Sequence, residues 1–280
     1  MNLSALLSWQ LGSLPVADLL LAFGLTLAIS ALGFRRIDYF VSLGYAFSIA
    51  AQTIVFALVL PDGLGPWTTL QLLLLLAYGV RLGSYLIARE RAASFARELE
   101  ASKQRGLHIK GLVKLAIWIS VAALYVAMFS PGLLALIAQR DGIAVWGLPA
   151  GIVVMVIGLG LESLADAQKA AFKAAHPKKF CAVGLYRIVR CPNYFGEMLF
   201  WLGAWISGLG AYRSPFDWLL AGVGLVSIQL ISLGAARRLE IKQAERYGDE
   251  PAYRDYFARV PVLLPLLPIY SLRRLRVYLG

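Results

Sequence analysis

The chain has 280 residues, of which 59% are hydrophobic and only 15% are charged, and its mean hydropathy is +0.69. Soluble domains are usually about 45–50% apolar and about 25% charged, so a soluble fold of this size could not hide so much apolar surface. The composition therefore excludes a soluble protein and predicts one that crosses a membrane several times.

Seven apolar segments are long enough to be membrane spans, because a span needs about 20 mostly apolar residues. In chain order they are Pro15–Phe34, Asp38–Leu60, Pro66–Ala88, Leu115–Ala138, Ile143–Ala165, Asn193–Ala211 and Phe216–Ala236. Only a tight turn at Tyr212–Pro215 separates the last two. The sequence thus predicts an all-α fold of seven transmembrane helices in a single domain, residues 1–280.

The formal net charge of +11 is concentrated in alternate loops. The loops after the first, third and fifth spans and the tail after the seventh are basic, whereas the opposite loops carry only Arg140 and Arg213. By the positive-inside bias, the N-terminus is predicted to be outside and the C-terminus cytoplasmic, in a bacterial inner membrane or the endoplasmic reticulum. The basic residues lie against a bilayer and attract anionic lipid, so we do not expect nucleic-acid binding.

Other regions outside the spans predict little chemistry. The first ten residues, MNLSALLSWQ, lack a positive segment and a small-residue cleavage site, so we expect no removable signal peptide. Cys181 and Cys191 fall in a cytoplasmic loop, where thiols stay reduced, and with only two histidines in the chain a metal site is not expected. The segment PVLLPLLPIY is too short and too rich in proline to span; it should lie in the interface or plug a cavity.

The stretch GLYRIVRCPNYFGEMLFW places polar side chains at the start of the sixth span. Pro192 suits the first turn of a helix, and a helix start with arginines just upstream is a natural phosphate site. Asn193 and Glu197 are four residues apart and share one face of that helix. The structural alternative is that Asn193 only caps the helix and Glu197 only neutralises Arg190.

Two further clusters put polar groups near membrane depth. Glu162, Asp166, Lys169 and Lys173 form one helical stripe at the end of the fifth span, and such a row is also typical of simple i,i+4 ion pairs. In the third span, the structural alternatives are that Arg81 extends its charged end to the membrane interface and that Tyr85 belongs to an aromatic belt. Asp38 and Gln52 in the second span are weaker signals, typical of hydrogen bonds between helices.

The stretch GLYRIVRCPNYFGEMLFWLGAWISG resembles the signature of the steroid 5-alpha-reductase family and its uncharacterised bacterial relatives. There, a glycine-leucine-aromatic start leads into Asn-aromatic-x-Gly-Glu. The likeness extends back to Ala165–Gln168 and forward to YGDEPAYRDYFARVPVLLP, so it covers residues 162–265 well and the N-terminal half thinly.

The resemblance implies a membrane reductase that binds NADPH in a cytoplasm-facing cavity and delivers a hydride to the activated C=C bond of a lipophilic, steroid-like or isoprenoid enone. It implies that such a substrate enters from the bilayer. We also expect the chain to be a monomer. The cofactor-binding residues that it implies are Asp166, Arg187, Arg190, Asn193, Tyr194, Glu197, Arg237, Arg238, Glu240, Tyr253 and Tyr256.

For the catalytic step, the resemblance implies that Tyr85 donates a hydrogen bond to the substrate ketone, because a phenol in a desolvated pocket stabilises the developing enolate. Steroid reductases also have a Gln-Glu pair upstream of that tyrosine. The nearest match here is Gln52–Thr53, so Gln52 is the second catalytic candidate and the acid partner has no match.

Two other classes stay open. Membrane methyltransferases similar to the isoprenylcysteine carboxyl methyltransferases bind S-adenosylmethionine and carry Arg-x-Pro-x-Tyr-x-Gly followed by a distant glutamate, which Arg190, Pro192, Tyr194 and Gly196 fit. The reductase is favoured by Asn193 and by Glu197 directly after the glycine. A non-catalytic membrane protein or transporter is the third class, although transporter sites usually lie at the membrane midplane.

Overall fold

The computed structural model describes residues 9–91, 100, 104, 109–265 and 267–275. The first eight residues of the expected non-cleaved N-terminus lie outside the described part, as do His108 and three of the basic loop residues, Arg97, Lys103 and Arg105. A small antiparallel hairpin, β1 (Gln10–Leu11) and β2 (Leu14–Pro15), precedes the helices. The α-helices of the described part are α1 (Val16–Ser30), α2 (Leu43–Val59), α3 (Pro66–Arg91), α4 (Gly111–Arg140), α5 (Leu148–Ala175), α6 (Pro192–Ser207), α7 (Pro215–Tyr247) and α8 (Pro251–Arg259).

The helical, multi-pass character predicted from composition is confirmed. Six segments of the described part are long and apolar enough to cross a membrane: α1 with its 3₁₀ extension to Phe34, α2 with the preceding 3₁₀ turn from Ile37, α3, α4, α5 and α7. The sixth predicted span corresponds to α6, which has only 16 residues. At 1.5 Å per residue it is about 24 Å long, shorter than the roughly 30 Å hydrocarbon core of a bilayer.

Proline and helix-forming residues set the helix bounds. The helices α3, α6, α7 and α8 each begin at a proline, where the missing N–H has no intrahelical acceptor to lose. The helix α5 continues ten residues beyond its predicted end at Ala165, to Ala175. The added sequence, DAQKAAFKAA, is rich in alanine and lysine, which favour helix. Hydropathy marks where the apolar run ends, whereas helix propensity carries the helix on through the polar residues that follow.

The described residues form two compact units. The first comprises Met1–Ile152 and Ala204–Leu225, and the second comprises Val153–Gly203 and Val226–Gly280. In the first unit, α2 and α3 pack closely because Gly79 has no side chain: an added Cβ would lie 2.6 Å from Ala46 O. Gln52 joins α2 to α4 through a 3.2 Å bond from its Nε2 to Tyr125 O.

Alternate connections of the first unit meet at one end of the helices. Gly147 N donates to Leu209 O at 2.9 Å, which joins the α4–α5 and α6–α7 connections. Ser13, in the turn of the hairpin, bonds Asp217 at the start of α7. The α1–α2 connection instead bonds the C-terminal end of α3, through the 2.7 Å ion pair of Arg36 with Glu90. This is the alternation expected of helices that cross a membrane in turn.

The second unit is organised around a close crossing of α5 and α6. A Cβ added at Gly158 would come within 2.7 Å of Gly196 O, and one added at Gly196 would come within 2.5 Å of Glu162 N. The two helix backbones touch because neither glycine has a side chain. The crossing fixes the first two turns of α6 against the stretch of α5 that carries Glu162.

Candidate functional site

The first turns of α6 carry three of the predicted site residues, Asn193, Tyr194 and Glu197. As expected, α6 begins at Pro192, directly after Cys191. Cys191 N donates to Val262 O and Arg190 N to Pro261 O, both at 2.9 Å. The C-terminal tail, which is the described part of the chain after α8 (residues 260–265 and 267–275), therefore lies alongside the residues that lead into α6.

Asn193 and Glu197 lie on successive turns of α6 and are both partly buried. Glu197 Oε2 accepts a hydrogen bond from Ser232 Oγ of α7 at 3.3 Å. Asn193 Oδ1 is buried and has no hydrogen-bond donor among the described residues. A buried acceptor without a donor costs about 1–3 kcal/mol, so Asn193 is a place where a ligand N–H would be stabilising.

Two carboxylates of α5 are also buried in this unit. Glu162 is 5% exposed and Asp166 is 8% exposed. Lys173, the last member of the same stripe, donates to Tyr247 OH at 2.9 Å and to Lys179 O. The two acidic residues of the stripe are therefore buried, whereas Lys173 at its basic end is hydrogen-bonded to the following loop and to α7.

Arg190 and Glu240 form a buried ion pair. The Arg190 Nη2 to Glu240 Oε2 distance is 3.4 Å, and each side chain is 1% exposed. Arg190 also donates from Nε to Val260 O at 3.1 Å and from Nη2 to Tyr270 O. Its guanidinium carbon lies 4.1 Å from the centre of the Phe257 ring. The interpretation that Glu197 neutralises Arg190 is therefore wrong: the ion-pair partner of Arg190 lies 50 residues along the chain.

Glu240 holds the C-terminal tail in place. Its Oε1 accepts from Ser271 Oγ at 2.6 Å and its Oε2 from Leu272 N at 3.1 Å, while Arg273 Nε lies 3.3 Å from Oε1. A buried charge needs such partners because desolvation is costly. Arg190 and Glu240 thus connect the start of α6, the helix α7 and the tail.

The proline-rich tail packs inside the second unit. Val262 and Leu263 are buried in an apolar cluster with Cys191, Ala236 and Leu272. This agrees with the expectation that PVLLPLLPIY fills space in the protein, although Leu267 and Ile269 of the same segment are exposed. Burial raises the pKa of the Cys191 thiol to about 11, so this thiol is not reactive at neutral pH.

Tyr253 and Tyr256 belong to an aromatic cluster. Phe180 contacts both rings at centroid distances of 5.3 Å and the Tyr247 ring at 5.9 Å. Tyr256 OH donates to Tyr186 O at 2.7 Å. Burial raises the pKa of both phenols, Tyr253 and Tyr256, so both are neutral at physiological pH. Tyr253 OH is buried and has no hydrogen-bond partner within the described residues.

The predicted phosphate-binding arginines differ in exposure. Arg187 and Arg238 are exposed, whereas Arg237 is partly buried and donates to Arg273 O at 3.5 Å. A surface pocket of about 250 Å³ lies beside Arg187; it is lined by Ala182, Arg187, Asp255, Tyr256, Arg259 and Val260. Ligand pockets are typically about 300–1,000 Å³, so this pocket accommodates a phosphate group or a ring, not a whole dinucleotide.

Gln168 and Gly184 position the turn that carries Arg187. Leu185 N donates to Gln168 Oε1 at 2.8 Å, and Gly184 has φ of +57°, a conformation that favours glycine. A Cβ at Gly184 would overlap the Gln168 amide. The 3₁₀ turn Gly184–Arg187 is thus held against α5.

The two predicted catalytic residues lie in the first unit. Tyr85 is half-buried in α3, and the Arg89 guanidinium carbon lies 6.0 Å from the centre of its ring. Gln52 is fully buried in α2. Its Nε2 donates to Ser48 O and Tyr125 O, and its Oε1 has no donor among the described residues. The alternative interpretation of Gln52, a hydrogen-bond partner between helices, is confirmed, and its catalytic role stays a prediction.

Several residues that shape the second unit were not predicted from the sequence. Phe257 lies beside both Arg190 and Arg273, Ser271 bonds Glu240, and Phe180 centres the tyrosine cluster. For Phe257, the sequence signal is that arginines and aromatics recur together between residues 246 and 274. That pattern fixes no pairing until the tail is folded back.

Comparisons with known proteins identify a family. A model of the DUF1295 family, described as a protein of unknown function, matches residues 35–260. An uncharacterised protein of Schizosaccharomyces pombe is 36% identical over 89 residues, which cover 31% of this chain. The matched part of the chain spans only 24% of the length of that relative. No solved structure is significantly similar.

Proposed function

The chain belongs to the DUF1295 family, whose function is unknown, and from its own residues we propose that it is an NADPH-dependent membrane reductase. Its substrate would be the activated C=C bond of a lipophilic enone, steroid-like or isoprenoid, that enters from the bilayer. The proposal includes seven crossings with the N-terminus outside, α6 being the short sixth crossing. The meeting of alternate connections at one end of the first unit supports that topology.

The observation that carries the proposal is the polar face at the start of α6. Asn193 presents a buried acceptor without a donor, one turn from Glu197. A nicotinamide carboxamide and a ribose both offer donors to such acceptors. The residues therefore fit this part of the cofactor, and the glycine crossing of α5 and α6 holds them in place. When bound, NADPH supplies the hydride.

The phosphates are assigned to the exposed arginines. Arg187 lines a pocket large enough for one phosphate group, and Arg238 is exposed on α7. A guanidinium binds a phosphate in a bidentate, charge-assisted manner. Arg190 does not fit this role because its donors bind Glu240, Val260 and Tyr270. We assign Arg190 and Glu240 to positioning the start of α6 and the tail.

The remaining predicted residues keep narrower roles in the proposal. Asp166 would accept hydrogen bonds from the adenosine half, and Tyr194, Tyr253 and Tyr256 would line the cofactor with aromatic surface. Tyr85 is the proposed hydrogen-bond donor to the ketone of the substrate. Gln52 is the weakest member, because its amide already joins two helices.

A second candidate is an S-adenosylmethionine-dependent methyltransferase, which one observation favours. The skeleton Arg-x-Pro-x-Tyr-x-Gly with a distant glutamate is assembled in space, since Arg190 pairs with Glu240. The pair, however, is sealed by the tail and by Phe257. For this reason the methyltransferase stands second.

The test is a thermal-shift titration of the detergent-purified full chain with NADPH, NADH and S-adenosylmethionine. A ligand at about 100 times its Kd raises the free energy of unfolding by about 2.7 kcal/mol. We expect a shift with NADPH, a smaller one with NADH, and loss of the NADPH shift in Asn193→Ala and Glu197→Gln. Arg254→Gln, an exposed α8 residue outside the site, is the control and should keep the shift.

The outcomes separate the candidates. If both Asn193→Ala and Glu197→Gln bind NADPH with the affinity of the natural chain, the assignment of these two residues to the cofactor site is wrong. A shift with S-adenosylmethionine alone would establish the methyltransferase, and no shift with any of the three ligands would favour a non-catalytic membrane protein.

A further inference from the structure

The only two basic residues of the sparsely charged loops, Arg140 and Arg213, line one pocket of the first unit. Arg140 ends α4 and Arg213 lies between α6 and α7, 73 positions further along the chain. The pocket has a volume of about 250 Å³, and its other lining residues are Gln10, Gly12, Ser13, Ile137, Asp141 and Ser214. Folding thus brings together the two cations that the charge distribution leaves on this side.

A buried carboxylate fixes the walls of the pocket. Asp217 is fully buried and accepts four hydrogen bonds, from Ser13 N at 3.0 Å, Ser13 Oγ at 2.8 Å, and the backbone N–H groups of Arg213 and Ser214 at 2.9 Å each. These bonds satisfy the charge of Asp217. They also hold the hairpin turn and the α6–α7 connection together, so the pocket is preorganised.

Glycine is required at the hairpin turn. Gly12 has φ of +65°, and a Cβ there would overlap Ser214 Oγ and Asp217 Oδ1. The turn therefore approaches the α6–α7 connection as closely as a backbone can. This contact brings Ser13 to Asp217 and closes one side of the pocket.

The pocket presents several hydrogen-bond donors that no acceptor of the described residues occupies, although the carboxylate of Asp141 also lines it. Arg213 is exposed, and within the described part of the chain no acceptor binds its guanidinium. Arg140 binds Asp141 through Nε alone, at 3.1 Å, and that pair is partly exposed, with side chains 34% and 41% accessible. Ser214 Oγ accepts the Asp217 N–H at 3.2 Å, so its own proton is available to a ligand.

We propose that this pocket binds a phosphate group through Arg140, Arg213 and the Ser214 hydroxyl. The positive-inside bias disfavours cations on this face, so topology does not explain why two of them converge. Planar guanidinium groups match the oxygens of a phosphate, and the pocket is the size of a head group rather than of a cofactor. The phosphate belongs either to a phospholipid head group or to a free anion. The proposal is independent of the function proposed for the second unit.

The experiment uses the detergent-purified full chain and three probes: inorganic phosphate, a short-chain phosphatidylglycerol below its micelle-forming concentration, and sodium chloride at matched ionic strength. Thermal stability is titrated for the natural sequence, for the double variant Arg140→Gln/Arg213→Gln, and for Arg213→Lys. A second double variant, Lys178→Gln/Arg254→Gln, removes the same charge from exposed positions outside the pocket. It controls for the loss of net positive charge.

We expect a saturable shift with at least one phosphate-bearing probe and none with chloride. The apparent affinity should fall roughly tenfold or more in the Arg140/Arg213 double variant, because charge-assisted hydrogen bonds from guanidinium groups to phosphate are among the strong ones. It should fall less in Arg213→Lys, which keeps the charge, and stay unchanged in the control. A shift with phosphatidylglycerol alone identifies a lipid, and a shift with phosphate alone a free anion. No saturable shift with either probe, or equal affinity in the double variant and the control, would overturn the proposal.

Discussion

At the scale of single residues, the Arg190–Glu240 pair is a buried constraint in the second unit. Both side chains are almost fully buried, and Glu240 serves Arg190, Ser271 and the Leu272 N–H together. Removal of one partner of such a pair leaves an uncompensated buried charge. The loss is typically about 3–5 kcal/mol.

We therefore expect Glu240→Ala to lower the unfolding temperature strongly and to expose the tail to limited proteolysis. The matched control is Asp255→Ala, which breaks the exposed pair with Arg259, whose side chains are 74% and 79% accessible. Exposed pairs contribute little, so this variant should unfold like the natural chain. Equal thermal shifts in the two variants would contradict the account of the buried pair.

Cys191 gives a prediction about pH. Its pKa is raised from about 9 to about 11 by burial, so the unfolded chain loses this proton at a lower pH than the folded chain. Between these values the unfolded state binds fewer protons, and stability must fall as the pH rises. This contribution to stability is fully present below about pH 9 and is lost through about pH 11.

The measurement is the unfolding temperature at a series of pH values from about 8 to about 11. Cys191→Ala should show a smaller decline than the natural chain over this interval, whatever its absolute stability. If the two curves have the same slope, Cys191 is not the group responsible. Tyr256, whose pKa is also raised by burial, would then be the next to test.

At the scale of helices, the crossing of α5 and α6 depends on Gly158 and Gly196. A third glycine, Gly160, lies on α5 outside the contact and provides a control. A Cβ at Gly158 would collide with the α6 backbone, whereas Gly160, on the same helix, has open space around it. Gly158→Ala should therefore destabilise the protein by about 1–3 kcal/mol through overpacking. Gly160→Ala should be neutral or slightly stabilising, because alanine favours helix over glycine by about 1 kcal/mol.

Both glycine variants are compared by thermal unfolding and by NADPH binding. Gly158→Ala should weaken NADPH binding as well, because the crossing holds the turn that carries Asn193. If Gly158→Ala and Gly160→Ala behave alike, α5 and α6 are not in backbone contact.

Particular elements show what the sequence could and could not predict. The start of α6 at Pro192 followed from the missing N–H of proline, and the six long spans followed from hydropathy. The pairing of Arg190 with Glu240 could not be predicted, because the two residues are 50 positions apart and meet only when α7 packs beside the start of α6. Glu197 was the nearer candidate in sequence, but it bonds Ser232 instead.

The same limit applies to the pocket at Arg140 and Arg213. The sequence identified both residues as the exceptions to the charge distribution. Their convergence depends on the tertiary contacts of Gly12, Ser13 and Asp217, which have no local signature. Patterns of hydropathy and charge predict where a helix runs, whereas long-range hydrogen bonds decide which loops meet.

At the scale of the whole molecule, the number of crossings has a direct consequence. Seven crossings place the two ends of the chain on opposite sides of the membrane, and six place them on the same side. We expect a fluorescent reporter at the C-terminus to be active in the cytoplasm, and a reporter enzyme at the N-terminus that works only outside the cytoplasm to be active as well. Both ends on one side would show that α6, with its 16 residues, does not cross.

The central claim is hydride transfer from NADPH to a lipid-soluble enone, and the most direct test follows the hydrogen itself. The purified protein in lipid nanodiscs is incubated with NADPH carrying deuterium at both C4 positions and with a mixture of steroid and isoprenoid enones, and the products are analysed by mass spectrometry. The account predicts a saturated ketone that has gained one deuterium, abolished in Asn193→Ala and kept in Arg254→Gln. If NADPH binds but no enone gains deuterium, or if a methyl group is transferred from S-adenosylmethionine instead, the proposed reductase is contradicted.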